Sequence, residues 1–182
     1  MKRFLSILTM ALLVTGLSAQ EPADTLWKYN GVISLNFSQM ALSNWAAGGE
    51  NSVSGNAVVN LNANYKSNDQ KISWTNELFM GYGLLQQGND QVRKSDDDID
   101  LASKFGYKAG KSWFYSGLYS FKTQFTEGYM NPGDVDRDKI SNFLAPGYMN
   151  LSFGMDYKPS DKFTLLLAPI TGKMTFVLDD EL

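Results

Sequence analysis

The chain contains no cysteine and no histidine among its 182 residues, and each absence removes a class of site. Without cysteine there is no disulfide bond and no thiolate nucleophile or ligand. Without histidine a Ser-His-Asp triad is impossible, and a zinc site loses both of its favoured ligand types. A carboxylate pair remains conceivable, but no spacing in the sequence identifies one. We therefore expect a protein that is not an enzyme and that holds no cofactor.

Long apolar runs are also scarce, and the one that exists lies at the N-terminus. A basic pair at residues 2–3 precedes an apolar stretch at residues 4–17, and small residues then form a plausible cleavage site. The stretch is shorter than the roughly 20 residues that a membrane-spanning helix needs, which favours a signal peptide over an anchor. We expect residues 1–19 to be the signal peptide, residues 20–26 a polar linker and residues 27–182 a β-barrel domain.

Positive charge is outnumbered. Lys and Arg total 16 against 19 Asp and Glu, and loss of Lys2 and Arg3 with the signal peptide would take the net charge from −3 to −5. This balance argues against nucleic acid as a partner. A small exported domain without disulfides needs another source of stability, and a closed hydrogen-bonded barrel supplies one.

What the sequence does have is long alternation of apolar and polar residues. From Val53 to Tyr65 every odd position is apolar, aromatic or Gly, and the even positions are polar with one exception. A strand with this pattern has one apolar face and one wet face. It is longer than the typical soluble strand of about 5–6 residues, and its wet face carries Asn, a poor strand former. A transmembrane strand of roughly 9–11 residues, with lipid outside and water inside, has this pattern.

Further stretches alternate in the same way, so the sequence contains seven strand candidates. They are 27–38, 53–66, 71–85, 98–108, 112–125, 147–158 and a strand from 162 whose path past Pro169 is unclear, with 174–178 as a possible eighth. Long loops at 40–52, 86–97 and 126–146 alternate with short turns at 67–70, 109–111 and 159–161. Outer-membrane barrels have short periplasmic turns and longer outer loops. The sequence predicts an all-β, antiparallel up-and-down transmembrane β-barrel of seven to eight strands, incomplete in this chain.

Aromatic side chains flank each of the three short turns on the predicted apolar face. They are Tyr65, Trp74, Tyr107, Trp113, Tyr157 and Phe163. Tyr and Trp favour the membrane–water interface, so these residues predict a periplasmic aromatic girdle. Cross-strand aromatic packing in a soluble barrel or sandwich is the alternative.

Eight charged side chains on the predicted wet faces are expected to point into the lumen. They are Glu77, Asp98, Asp100, Lys104, Lys108, Lys122, Asp156 and Lys158. In a wide barrel they would line a channel, and in a narrow one they would pair. Because unpaired buried charge is costly, we favour a paired network near the wall.

The acidic loop at 134–138 has partial calcium-loop spacing. Asp134, Asp136 and Asp138 alternate as in an EF-hand, but Lys139 and Ala145 stand where that loop needs Gly and Glu. A solvated acidic outer loop therefore explains the spacing better. A second acidic run covers residues 96–100. Its carboxylates could hold a cation or bridge to lipopolysaccharide through divalent ions. The simpler expectation is that its first residues belong to the loop and that Asp98 and Asp100 point into the lumen.

Trp45 is the most distinctive loop residue, since Gly48 and Gly49 follow it closely. It is either an aromatic that stacks on a ligand or partner, or a side chain that packs over a Gly-rich turn. The second explanation is simpler because Gly commonly serves turn geometry.

Several segments resemble an uncharacterised family of Bacteroidetes outer-membrane proteins, known as a domain of unknown function. The segments are LSNWAAGGENS at 42–52, SDDDIDLASKFGYK at 95–108, WFYSGLYSFKTQFTEGY at 113–129, ISNFLAPGY at 140–148 and LLLAPITGKMTFVLDD at 165–180. The resemblance implies an outer-membrane location in a Gram-negative bacterium and no established activity or site residue. Members of that family continue with more strands, so the chain resembles an N-terminal portion that would not close alone.

Three hypotheses about function follow. The first is an integral outer-membrane β-barrel that serves transport or envelope organisation, with lipid, lipopolysaccharide and other envelope proteins as partners. The second is a barrel whose outer loops bind a protein, a glycan or lipopolysaccharide. The third is a soluble exported lipocalin-like barrel with an apolar ligand, which would place the apolar face inside and the Asn row outside.

Overall fold

A computed structural model describes residues 26–43, 48–130, 138–160 and 162–182. Within these ranges the chain forms nine strands. They are β1 (Trp27–Met40), β2 (Ser52–Lys66), β3 (Ile72–Gln87), β4 (Arg93–Lys108), β5 (Trp113–Thr123), β6 (Gly128–Tyr129), β7 (Lys139–Ser141), β8 (Gly147–Ser160) and β9 (Phe163–Phe176). Across the same residues, no helix is long and apolar enough to cross a membrane.

Seven of the strands form one antiparallel up-and-down sheet in the order β1-β2-β3-β4-β5-β8-β9. Strands β6 and β7 form a separate small hairpin within the connection from β5 to β8. The described parts of β1 and β9 do not pair with each other, so the sheet is open, as in an incomplete β-barrel. The prediction of an all-β, antiparallel up-and-down fold is confirmed.

The pairing register gives the sheet two chemically different faces. Val59 on β2 lies opposite Ile33 on β1 and Met80 on β3, whereas its neighbour Asn60 lies opposite Val32 and Phe79. Directly opposed residues share a face, so the same division into two faces continues from strand to strand across the sheet. We call the side of Val59 the apolar face and the side of Asn60 the polar face.

Exposure is distributed in the opposite way from an ordinary globular domain. On the apolar face Ile33, Leu35 and Phe37 are 73%, 81% and 73% exposed. On the polar face Asp156 is 1% exposed and Ser116 is also buried. Among the described residues, Ala145 is the one buried apolar residue. The sheet therefore encloses polar groups and presents its apolar side chains outward.

Strand β4 begins earlier than the sequence predicts. It starts at Arg93, and β3 continues to Gln87, so the predicted loop at 86–97 is wrong and the connection shrinks to residues 88–92. The register shifts where Gly83 pairs with Asp96 and Leu84 pairs with Lys94, leaving Ser95 as the extra residue of a bulge. The placement of residues 96 and 97 in a loop was therefore also wrong.

Strand β9 continues through Pro169 to Phe176, so residues 174–176 end this strand and do not form a separate eighth one. Phe153 pairs with Ile170 and Met155 with Leu167, which leaves Ala168 and Pro169 opposite a single residue of β8. A bulge at the edge of a sheet is one of the few places that tolerate proline, because no ladder hydrogen bond is lost there.

Gly154 is the β8 residue opposite the Pro169 bulge, and its lack of a side chain is required. A Cβ at this position would collide with the Leu167 carbonyl and would lie 2.6 Å from the Ala168 Cα. The bulge therefore depends on glycine in the facing strand.

Candidate functional site

The polar face of β4 carries a gradient of charge along a single strand. Asp96, Asp98 and Asp100 lie toward the loop end, and Lys104 and Lys108 lie toward the turn end. Alternate residues of a strand share a face, so all five belong to the same row. The polar side of β4 is therefore acidic at its loop end and basic at its turn end.

At the loop end the acidic row is joined by one lysine from the next strand. The ammonium of Lys122 on β5 lies 2.9 Å from Asp98 Oδ1 and 3.2 Å from Asp100 Oδ2. All three side chains are substantially exposed, so water screens these pairs and each contributes little to stability.

Nearer the turns, the charged groups are more enclosed. The buried carboxylate of Asp156 on β8 accepts two ammonium groups, with Lys104 at 2.7 Å and Lys158 at 3.3 Å. A carboxylate removed from water must be paired to remain charged, and these lysines supply the pairing. This triad links β4 and β8 across β5, which lies between them in the sheet.

At the loop end of the polar face, side-chain hydrogen bonds connect β1, β2 and β4. Asn36 Nδ2 donates to Asn56 Oδ1 at 2.8 Å, and Asn56 Nδ2 donates to Asp96 Oδ2 at 3.4 Å. Strand β3 lies between Asn56 and Asp96, and a Cβ at its residue Gly83 would collide with the Asp96 carboxylate and the Ser95 hydroxyl. The absence of a side chain at Gly83 therefore leaves room for the hydrogen bond between Asn56 and Asp96. Asn56 of β2 thus has a hydrogen-bonding role that alternation alone does not reveal.

All eight charged residues that the sequence assigns to the wet faces lie on the polar face. Six of them are in the two ion-pair groups above. Glu77 and Lys108 make no ion pair with any residue in the described ranges. Glu77 instead lines a hollow of about 310 Å³ together with Phe79, Asp100 and Lys122.

Asp97, a member of the acidic run, lies on the opposite, apolar face. It pairs with Lys94, and its carboxylate accepts hydrogen bonds from the backbone N–H groups of Phe125, at 2.7 Å, and Thr126, at 3.3 Å. It therefore fixes the chain where it leaves β5. The sequence does not indicate this role, because residues 95–98 are Ser-Asp-Asp-Asp, a pattern that is also typical of a solvated loop.

The aromatic residues beside the turns lie on the apolar face at the turn end of the sheet. The register pairs Tyr65 with Trp74 and Trp113 with Tyr157, whose rings are 4.7 Å apart. Tyr107 on β4 and Phe163 on β9 follow the same face. Sequence analysis missed Trp27, whose ring lies 5.2 Å from that of Tyr65 and 5.7 Å from that of Trp74. Its position at the start of the first strand, opposite Tyr65 in an antiparallel pair, was the available signal.

The loop candidates are only partly within the described residues. Trp45, Asp134 and Asp136 lie outside them, so nothing is assigned to these side chains. Gly48 and Gly49 have φ values of 82° and 122°, a left-handed backbone region that favours glycine. Across the described ranges, no group of three or more acidic side chains is arranged to hold a metal ion, and Asp138 belongs to none.

Residues 37–129, from the end of β1 to β6, match the family model described as Protein of unknown function (DUF3078). The chain belongs to this family. The part that matches the DUF3078 model contains the acidic row, Lys104 and Lys122, whereas Asp156 and Lys158 lie beyond it. No curated protein and no solved structure matches the chain.

Proposed function

We propose that this DUF3078 protein is an integral β-barrel protein of the outer membrane of a Gram-negative bacterium of the Bacteroidetes. The supporting observation is the reversed distribution of side chains across the sheet. Large apolar residues are exposed on one face, while the buried polar side chains of Asp156 and Ser116 lie on the other. A soluble domain rarely exposes so broad an apolar surface, whereas a strand that contacts lipid requires one.

The length of the strands fits the same location. Strands β1 to β4, β8 and β9 have 14 to 16 residues each. A tilted transmembrane strand needs roughly 9–11 residues to cross the apolar layer, which leaves residues at both ends for the interfaces. The aromatic residues at the turn end, with Trp27 among them, have the chemistry of an interface belt.

The proposal assigns an orientation and an interior. The turns face the periplasm, and the longer connections, including that from β5 to β8, face the outside. Lipid and lipopolysaccharide contact the apolar face. The polar face lines the interior, with its acidic row toward the outside and its basic residues toward the periplasm. The proposed role is either transport through this charged interior or organisation of the envelope.

Membrane fractionation tests the location. The protein expressed from its own gene should stay in the outer-membrane fraction after alkaline carbonate extraction, and it should migrate faster on gels before heating than after it, because a closed ladder resists unfolding. A monomer that remains soluble in plain buffer would refute the proposal and favour a lipocalin-like soluble barrel. Release from the membrane by carbonate, together with the absence of the gel shift, would refute it as well.

A further inference from the structure

The turn end of the polar face contains a basin that the ion pairs described above do not fill. It is a cavity of about 820 Å³ between the β2–β3 turn, the start of β5 and the adjacent ends of β8 and β9. Four lysines line it: Lys28, Lys66, Lys111 and Lys158. Among the described lining residues there is no Asp or Glu. The basin therefore concentrates positive charge in a protein whose net charge is negative.

Three of these lysines have no acidic partner among the residues that the structure describes. Lys28, Lys66 and Lys111 make no ion pair with any residue in the described ranges. Lys158 lies 3.3 Å from Asp156, but that carboxylate is closer to Lys104. The basin thus holds more ammonium groups than the described carboxylates neutralise.

The acidic residue of the β2–β3 turn is engaged within the turn itself. Asp69 accepts hydrogen bonds from the Ser67 hydroxyl at 2.6 Å and from the backbone N–H of Lys71 at 3.1 Å. These bonds lower the pKa of Asp69 to about 2. Its side chain also pairs with that of Lys71 at 3.2 Å, and it is not part of the basin wall.

The lysines come from separate parts of the chain, so their convergence is a property of the fold. Lys28 is at the start of β1, Lys66 ends β2, Lys111 is in the β4–β5 turn and Lys158 is near the end of β8. Phe114 also lines the basin, and the Lys158 ammonium is 5.2 Å from the centre of its ring. A cleft lined by charges of one sign focuses their field relative to a flat surface.

We propose that this basin binds a small molecule or headgroup that carries two or more phosphate groups. Ammonium groups act as point charges and bind phosphate oxygens without a fixed planar geometry. The cavity falls within the range of about 300–1,000 Å³ that is common for small-molecule sites, and it exceeds the space that one phosphate needs. Three lysines that pair with no described carboxylate match several negative charges on one ligand.

Calorimetry on the full chain in non-ionic detergent tests the proposal, with tripolyphosphate as the probe. We expect binding that weakens as salt is raised, since the interaction is electrostatic. The triple variant Lys28→Gln, Lys66→Gln, Lys111→Gln should bind about 30-fold or more weakly, at about threefold or more for each charge lost. The matching triple Arg variant should retain binding. Lys71 lies in the β2–β3 turn but outside the basin, so Lys71→Gln should change the affinity less than about twofold.

Two further measurements, one with vesicles and one with a soluble ligand, distinguish the sources of the phosphate. Vesicles of phosphatidylcholine with phosphatidylinositol bisphosphate report a headgroup ligand, and soluble inositol bisphosphate reports a free one. Binding in either arm that the triple Gln variant loses supports the site. Equal binding by the wild type and the triple Gln variant, or no binding of any probe by a wild-type protein with its β-sheet spectrum intact, overturns it. The basin does not depend on the membrane location, so this failure would leave the proposed function standing.

Discussion

The ammonium of Lys104 on β4 lies 2.7 Å from Oδ2 of Asp156 on β8, and this carboxylate is almost fully buried. The two strands are not neighbours, because β5 lies between them. A contact of this kind constrains three strands at once, whereas each ladder hydrogen bond constrains two. The paired charges thus contribute to the shape of the sheet as well as to its interior chemistry.

Replacement of Lys104 by Met should destabilise the protein by about 1–3 kcal/mol. This is below the usual cost of breaking a buried pair, because Lys104 is partly exposed and Lys158 still neutralises Asp156. Lys108→Met is the control, since Lys108 lies on the same strand and face without an ion pair to a described residue; we expect it to change stability by about 0.5 kcal/mol or less. Denaturant unfolding followed by tryptophan fluorescence measures both. Equal effects would show that the triad is not stabilising.

Gly154→Ala should cost about 1–3 kcal/mol, because the added methyl group would collide with the backbone of β9 at the Pro169 bulge. Gly172 provides a matched control in β9, since a Cβ there has no atom of the described residues within 4 Å. Gly172→Ala should be neutral or slightly stabilising, as glycine is unfavourable within strands. Unfolding midpoints in the same detergent compare the two variants. A tolerated Gly154→Ala would contradict the close approach of β8 and β9.

The segment after β9 is held by a carboxylate whose charge depends on pH. Asp179 accepts Lys139 at 2.6 Å, Asn142 at 2.7 Å and the backbone N–H of Glu181 at 3.0 Å, and these contacts lower the pKa of Asp179 from 3.8 to about 2. Because the pKa is depressed, the contact stabilises this segment fully above pH 4 and is lost as the pH falls toward 2.

Carbon-13 NMR of the Asp179 carboxyl group measures this directly. The titration midpoint should lie near pH 2 in the wild type and move toward 3.8 in Lys139→Gln. Lys173→Gln, which removes a lysine of β9 outside this cluster, should leave the midpoint unchanged. A wild-type midpoint at the ordinary value would show that the docking does not form.

Trypsin added to intact cells should cleave the connection from β5 to β8 and spare the β2–β3 turn. Both segments contain suitable residues, Arg137 in the first and Lys71 in the second, so a difference reports access. The expectation rests on the orientation with turns in the periplasm. Permeabilised cells serve as the control, and there the turn should become accessible. Cleavage of the turn alone in intact cells would reverse the orientation.

The architecture could be predicted from the sequence because alternation decides which face each residue occupies. In the run from Val53 to Tyr65 every odd position is apolar, aromatic or Gly, and a slip by one residue would turn these side chains inward. The register and the two faces follow from this constraint.

The features that sequence analysis missed depend on contacts between distant segments. The early start of β4 was hidden because Asp is uncommon in strands, and Asp97 is accommodated by Lys94 and by the distant backbone of Phe125 and Thr126. The continuation of β9 past Pro169 requires Gly154 on another strand. The basin of lysines likewise appears only when the ends of β1, β2 and β8 come together. No local pattern contains that information.

The central claim, that the apolar face contacts lipid and the polar face contacts water, is tested by two adjacent residues of β2. The chain has no cysteine, so single nitroxide labels at Leu61→Cys and Asn60→Cys need no background substitutions. In lipid vesicles the label at position 61 should relax strongly with oxygen and weakly with a water-soluble nickel reagent, since oxygen concentrates in lipid. The label at position 60 should show less oxygen relaxation and greater nickel accessibility, because its face lines the interior. Nickel access at position 61 that equals or exceeds that at position 60 would contradict the account.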